Sequence, residues 1–400
     1  MKQGIQVSME QIRGCRLAAH HLERKMPAAE ILTAAGACGL QNSPPGAWET
    51  ALFQRLEHET LDMLHMALYE QKILMQAWSL RGVPMVFPAE QGNVFLSPLM
   101  AREGEEPWIY TRGITLALDY LGMSFEELLP LIMEAAAYLD SHTVTSKEKL
   151  DQVLAEIAAE RLPKEKLALW NGPSMYGNPD RQIVGGAVVS FLLRPCSFAG
   201  LVVFGRREGS SPTFTSWKNW TGQEMSGGME GEKELVRKYL HCYGPATVSG
   251  FAGWLGCSPR QAKRLWNGVS EEMEPVSAEG LPGYMLTGDI KRLVDSEADE
   301  DQILLLGAHD PYLELRDRQV ILQDSSLHKL VWRTVSNPGA VLKGGRIVGI
   351  WKTKKVKTQM EMDVSLFETI SERDRRKLMG CGEEYAAFRG LNMKRCTIGD

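Results

Sequence analysis

The order of apolar and polar positions divides this chain into helical and strand-like blocks. Residues 8–25 read as a helix opened by a capping box, Ser8 with Gln11 three positions on. Helical patterns follow over 27–38 and 47–57, and a longer one over 61–79, where Leu61, Leu64, Leu68, Ile73, Leu74 and Ala77 supply the apolar stripe. A short strand, 83–87, then ends in a proline turn. Helices are expected at 113–121, 124–139 and 146–161, and strands at 185–193, 201–204 and 213–217. The last hundred residues change character. Short strands at 303–307, 319–322, 340–342, 346–351 and 359–364 are separated by turn residues and closed by a helix at 371–388.

The most specific arrangement lies at 232–286. A helix at 234–242 stops at Gly244-Pro245, a second runs over 248–255, and Gly256-Cys257-Ser258-Pro259 turns the chain into a third at 260–269. Ser258 supplies the cap and Pro259 the first turn. Strands at 273–276 and 283–287 would form a wing, and the last helix displays Arg260, Lys263 and Arg264. Such a unit binds DNA or another protein. The fold class expected is α+β, with tandem winged helix-turn-helix units and a C-terminal small β-barrel. The expected domains are 1–106, 107–225, 226–296 and 297–400.

Bulk composition changes this picture little. Four hundred residues at 44% hydrophobic and 24% charged describe a globular chain of several modules. No apolar run of membrane length and no secretory pattern at Met1 are visible, so a cytoplasmic protein without a membrane partner is expected. Seven scattered cysteines, none in a C-x-x-C pair, argue against a disulfide framework and against a zinc site. A net charge of −5 neither supports nor excludes a nucleic-acid partner, because a basic patch occupies only part of a surface. The helix at 8–25 carries one such face, with Arg13, Arg16, His20, His21, Arg24 and Lys25.

Candidate chemistry concentrates between 39 and 46. Gly39 stops the preceding helix, and Pro44, Pro45 and Gly46 hold the chain in a turn, presenting Gln41 and Ser43 two residues apart. In extended backbone both side chains face one target, with Asn42 turned away. Taken alone, a Gln-x-Ser before Pro-Pro reads as an ordinary turn, with Gln41 bonding the loop backbone. The histidines show no metal-ligand spacing, no P-loop occurs, and Asp310 is expected to bond Arg318 or backbone.

With its flanks, this loop resembles the active-site loop of the winged-helix DNA glycosylases typified by AlkZ and YcaQ. Those enzymes carry Gln-x-Gln or Gln-x-Asp there, orienting the water that attacks the sugar C1′. Gln41 matches the first member and Ser43 replaces the second. Trp78-Ser79-Leu80-Arg81-Gly82 before an apolar strand is similar to the family too, although Val83 and Met85 stand where it usually has Thr and His. Further matching stretches are 200–205, 304–312, 317–318 and 345–351, so the resemblance runs from about residue 8 to residue 390. It implies a monofunctional DNA glycosylase that excises bulky or cationic alkylated purines from duplex DNA, crosslinked ones among the candidates. Such an enzyme works as a monomer, without metal or cofactor. Catalytic Gln41 and Ser43 are then expected, with DNA contacts from Arg13, Arg16, Arg81, Arg260, Lys263, Arg264, Arg318 and Lys354. A serine is three heavy atoms shorter than glutamine, so it reaches the same point only if the loop moves inward by roughly 2–3 Å. The competing expectation is a winged-helix DNA-binding protein without catalysis, a damage sensor or regulator. A protein-interaction scaffold is a third.

Overall fold

The structure is a computed structural model that describes residues 5–105, 109–176, 182–225, 228–279 and 281–399. The domain junctions expected at 106/107 and 225/226 involve residues outside that set. The chain is a mixed α and β protein that resolves into two compact units. The first gathers residues 1–67, 236–254 and 269–400, and the second 68–235 and 255–268.

In the first unit, the helix Met9–Ala19 opens with the expected capping box. Ser8 Oγ accepts from the Gln11 amide at 3.1 Å, and Gln11 Oε1 accepts from the Ser8 amide at 2.9 Å. The strand before it, Ile5–Val7, runs parallel to Met273–Ala278, which pairs antiparallel with Leu281–Leu286. The expected hairpin is therefore present and gains a third strand from the N-terminal segment. The C-terminal block is one five-stranded sheet, in the order Ile303–Leu306, Gly339–Lys343, Arg346–Val356, Gln359–Leu366 and Asn392–Gly399. Its pairings are antiparallel except the last, which the intervening helix Glu372–Phe388 makes parallel. Met360, Met362, Val364 and Leu366 alternate into a core shared with Trp351, Leu378 and Tyr385.

The second unit is mainly helical. Phe125–Ala136, Lys147–Ala159 and Val184–Phe198 bury their apolar faces around Trp170, Trp78 and Phe214. Trp78 is core, as expected, stacked on Phe214 at 5.3 Å between ring centres.

Several elements differ from expectation; the helix expected over 8–25 stops at Ala19, with His21 at φ +56° just beyond it, so Arg24 and Lys25 lie outside the helix. The helical pattern over 61–79 is a helix only over Leu61–His65 with a wider turn at Met66–Glu70; Leu74–Trp78 is a strand paired with Pro84–Pro88. Lys72, at φ +54°, makes the break, and every residue of the strand is buried, so no period-two alternation marks it. Residues 185–193 form part of a helix instead of a strand. Residues 319–322 contain no strand; Arg318–Val320 is a single 3-10 turn. The helices Val248–Leu255 and Pro259–Asn267 occur where expected, and the division between the units falls at 254/255 within this segment.

Candidate active site and nucleic-acid interface

The loop of interest is built by glycine placement and side-chain bonds to backbone. Gly39 takes φ +72° after the short helix Ile31–Gly36, and Gly46 takes φ +90° just ahead of Ala47–Phe53. Both values lie where a Cβ is disfavoured. Between them, Asn42 Oδ1 accepts from the Gly46 amide at 2.7 Å, and the Ala47 amide donates to the Pro44 carbonyl at 3.1 Å. Gln41 and Asn42 are buried, at 6% and 8% exposure, while Pro44 and Pro45 are exposed. Asn42, which sequence reasoning set aside, is thus what closes the turn.

Gln41 Nε2 donates to the Ser43 carbonyl at 2.9 Å. The backbone-bonding role is therefore present. The same bond fixes the amide plane, and with it the side on which Oε1 lies. The group at position 43 that meets Gln41 is the carbonyl and not the hydroxyl.

Immediately after the turn comes a charged cluster that spacing did not reveal. Glu49 Oε1 lies 2.8 Å from His65 Nε2, and Glu49 Oε2 accepts from Arg389 at 2.5 Å. Burial works to raise the Glu49 carboxyl, but the bonds from His65 and Arg389 outweigh it and hold the group below its ordinary value. Arg389 is remote in sequence, so no local pattern could have paired it with Glu49. A groove of about 490 Å³ runs past Pro44, Pro45 and Gly46 and is bordered by Arg333, Lys352 and Arg389. It gains depth where the backbone comes close to side chains. A Cβ on Gly307 would sit 2.8 Å from Thr50, and one on Gly339 would overlap the Trp351 ring at 2.3 Å.

The eight expected DNA contacts separate into different environments. Arg16 is corrected outright. It is 2% exposed, its guanidinium forked on Asp317 at 2.7 and 3.1 Å and donating to the carbonyls of Tyr243, Gly244 and Pro245. The surrounding burial works against its charge, but Asp317 overcomes that and raises its pKa. His20, on the same expected basic face, is also buried. Arg13 borders a cavity of about 740 Å³ together with Arg346. Arg318 lies over the Trp332 ring at 4.5 Å. Lys354 sits on the exposed half of its strand, where 352–355 are all exposed. Asp310 does not meet Arg318. It is fully buried against Arg55, accepting at 2.8 and 2.9 Å, and it makes the expected backbone bond by accepting from the Tyr312 amide at 3.0 Å.

In the second unit Arg81 has φ +56° and is half-buried. Arg260, Lys263 and Arg264 share the helix Pro259–Asn267, capped by Ser258 through the Gln261 amide at 3.1 Å. Arg260 donates to the Gly104 carbonyl at 2.8 Å and Lys263 is exposed. Arg264 is held by Glu105 at 2.6 Å and Glu232 at 2.9 Å, so carboxylates already balance its charge.

A model of the family described as DNA glycosylase AlkZ-like matches residues 34–388, a span that contains the Gln41 turn and its groove. The chain belongs to that family. An interstrand DNA cross-link repair glycosylase of Streptomyces sahachiroi is 25% identical over 293 residues, 70% of each chain. The solved structure of the Streptomyces sahachiroi DNA glycosylase AlkZ is similar in fold, with a TM-score of 0.77 at 21% identity over 98% of this chain and 100% of that one. Membership of a DNA glycosylase family favours catalysis over the non-catalytic binder. No helix among the described residues is long and apolar enough to cross a membrane.

Proposed function

We propose that this protein hydrolyses the N-glycosidic bond of N7-alkylated purines in duplex DNA, with substrates extending to crosslinked nucleotides such as those named for the Streptomyces relative. The observation that carries the reading is Gln41, inside the family span, with its amide plane fixed by the Ser43 carbonyl.

N-glycosidic cleavage passes through an oxocarbenium-like sugar. An N7-alkylated purine already carries positive charge and leaves without a general acid. The protein then has to place a water below C1′ and tolerate a cationic sugar. A neutral amide oxygen suits the first task, because it accepts a hydrogen bond from the water and orients it without removing its proton as a base would. Gln41 Oε1 is the acceptor we assign, the Ser43 carbonyl acting through Gln41 as its positioning group.

Duplex DNA would approach the groove beside Pro44–Gly46, with Arg333 and Lys352 on its border. Arg13, Arg81, Arg260, Lys263, Arg318 and Lys354 are the further phosphate contacts proposed, while Arg16 and Arg264 act structurally. The same reading takes 226–296 as a winged-helix unit, on its helix-helix-hairpin order, with further winged-helix units at 1–106 and 107–225. It takes 297–400 as a small barrel-like sheet, and the working form as a monomer.

Single-turnover incubation with a duplex carrying one N7-methylguanine, followed by alkaline cleavage, tests the assignment. Base release is expected, and Gln41→Ala should lower its rate on the order of 100-fold or more while DNA affinity stays within a few-fold. Undiminished release by Gln41→Ala would refute the role given to Gln41. No release from this duplex or from a bulkier adduct, despite binding, would refute the reaction.

A further inference from the structure

A second cluster of chemically able side chains lies under the loop, in the interior of the first unit. His20, just past the helix Met9–Ala19, Cys38, just before Gly39, and Cys242, in the last turn of Met229–Tyr243, bring their ligand atoms within 4.8 Å of one another. They are 1%, 4% and 0% exposed. Spacing along the sequence hides the cluster, because its members come from three distant segments.

We propose that His20 Nδ1, Cys38 Sγ and Cys242 Sγ form a structural site for one zinc ion. Zinc takes thiolate and imidazole ligands tetrahedrally at about 2.3 and 2.0–2.1 Å. Tetrahedral geometry then sets neighbouring ligand atoms about 3.6 Å apart for sulfur and nitrogen and about 3.8 Å for two sulfurs. Cys38 Sγ stands 3.8 Å from His20 Nδ1, so small rotations of the side chains close the set.

Charge and bonding point the same way. Two thiolates, a neutral imidazole and a divalent cation sum to zero, so the site adds no net charge to a buried region. Zinc binding releases the two thiol protons to solvent. Two of the neighbouring charges are already balanced, Arg55 by Asp310 and Arg16 by Asp317. By contrast, the side chains alone hold one another weakly. Cys242 Sγ meets the Cys38 thiol and lies 3.6 and 3.8 Å from the carbonyls of Ala37 and Ala19, and the Tyr243 hydroxyl approaches Cys38 Sγ at 3.8 Å, all long contacts through sulfur. His20 Nδ1 meets Cys38 Sγ at 3.8 Å, too long for a strong hydrogen bond, and Nε2, which carries the imidazole proton when Nδ1 binds the ion, has no partner among the described residues. Cys and His with this burial and no strong hydrogen bonds are better explained as a ligand set than as a polar network. The fourth corner falls to a neutral backbone carbonyl, those of Ala37 and Ala19 lying 3.6 and 3.8 Å from Cys242 Sγ, since the Tyr243 hydroxyl already donates to the Pro311 carbonyl at 2.8 Å.

Such an ion ties the ends of two helices to the residue that leads into Gly39 and Gln41. It braces the base of the loop without touching the reacting atoms, and it stands whether or not the loop is catalytic.

The test begins with full-length protein purified without chelator and measured for metal by plasma mass spectrometry. One zinc per chain is expected, lost in Cys242→Ser and in Cys38→Ser. Protein unfolded with chelator and refolded without zinc should melt lower by about 5 °C or more. Refolding with Co²⁺ should give a thiolate-to-cobalt charge-transfer band and tetrahedral visible bands. Should a variant fail to fold, the metal content and cobalt spectrum of the wild type still decide. Wild-type protein that carries no zinc, refolds to the same melting temperature without it and shows no cobalt–thiolate band overturns the site. So does the loss of two thiols to a Cys38–Cys242 disulfide in the protein as purified.

Discussion

Ser43 differs from the Gln or Asp of the family pattern, and under the proposed mechanism the turn accounts for activity without that side chain. Gln41 is oriented by the carbonyl of residue 43, a group every amino acid supplies. Removing the hydroxyl leaves that bond in place. Ser43→Ala is therefore expected to keep base release within about 10-fold of wild type, against a loss on the order of 100-fold or more for Gln41→Ala. Single-turnover rates on one N7-methylguanine duplex make the comparison. Equal losses in the two variants would mean that the serine hydroxyl itself holds the water. Asn42 carries a different share of the work, since its Oδ1 caps the Gly46 amide and shapes the turn that Gln41 depends on.

At the level of elements, the helix Val184–Phe198 shows how packing overrides local pattern. Gly185 lies against Trp170 so closely that a Cβ would sit 2.3 Å from the indole ring. Alanine is worth about 1 kcal/mol over glycine in an open helix. Here the ring is fully buried and cannot step aside, so overpacking wins. Gly185→Ala should destabilise the protein by about 1–3 kcal/mol, read as a lower urea midpoint. A rise in the midpoint would show that Trp170 can move. The same burial made this helix illegible. Val184, Ala187, Val188, Val189, Leu192 and Leu193 are all at 0–1% exposure, so no polar stripe marks a helical period and β-branched residues suggest a strand. Elements with one wet face could be read directly. The Ser258 cap and Pro259 placed Pro259–Asn267, and the polar–apolar pattern placed Glu372–Phe388, each within two residues of where it starts and ends. The candidate loop was legible because Gly39, Pro44, Pro45 and Gly46 leave a local signature. Glu49 with Arg389, and Arg55 with Asp310, were not, because those pairs exist only once distant segments have met.

Across the whole molecule, two titrating groups pull stability in opposite directions with pH. Asp151 is 7% exposed, and burial, only partly offset by Lys147 at 2.8 Å, pushes its carboxyl up to about 6 from an ordinary value near 3.8. Between about pH 4 and 6 the folded chain holds a proton there that the unfolded chain has released. Stability contributed by Asp151 therefore falls as pH rises through this window, by up to about 3 kcal/mol. His21 does the reverse. Burial first, then the charge of Arg55, lowers it to about 4 from 6.5, so the unfolded chain binds the extra proton between those values and stability rises with pH. The two slopes oppose each other where the windows overlap. Asp151→Asn removes the falling slope and leaves Lys147 an oxygen to bond. It should be more stable than wild type near pH 7, about equal near pH 4, and should gain stability steadily in between. Urea midpoints measured at intervals from pH 4 to 7 decide it. A variant whose profile parallels the wild type would mean that Asp151 is ionised in the folded state throughout this range.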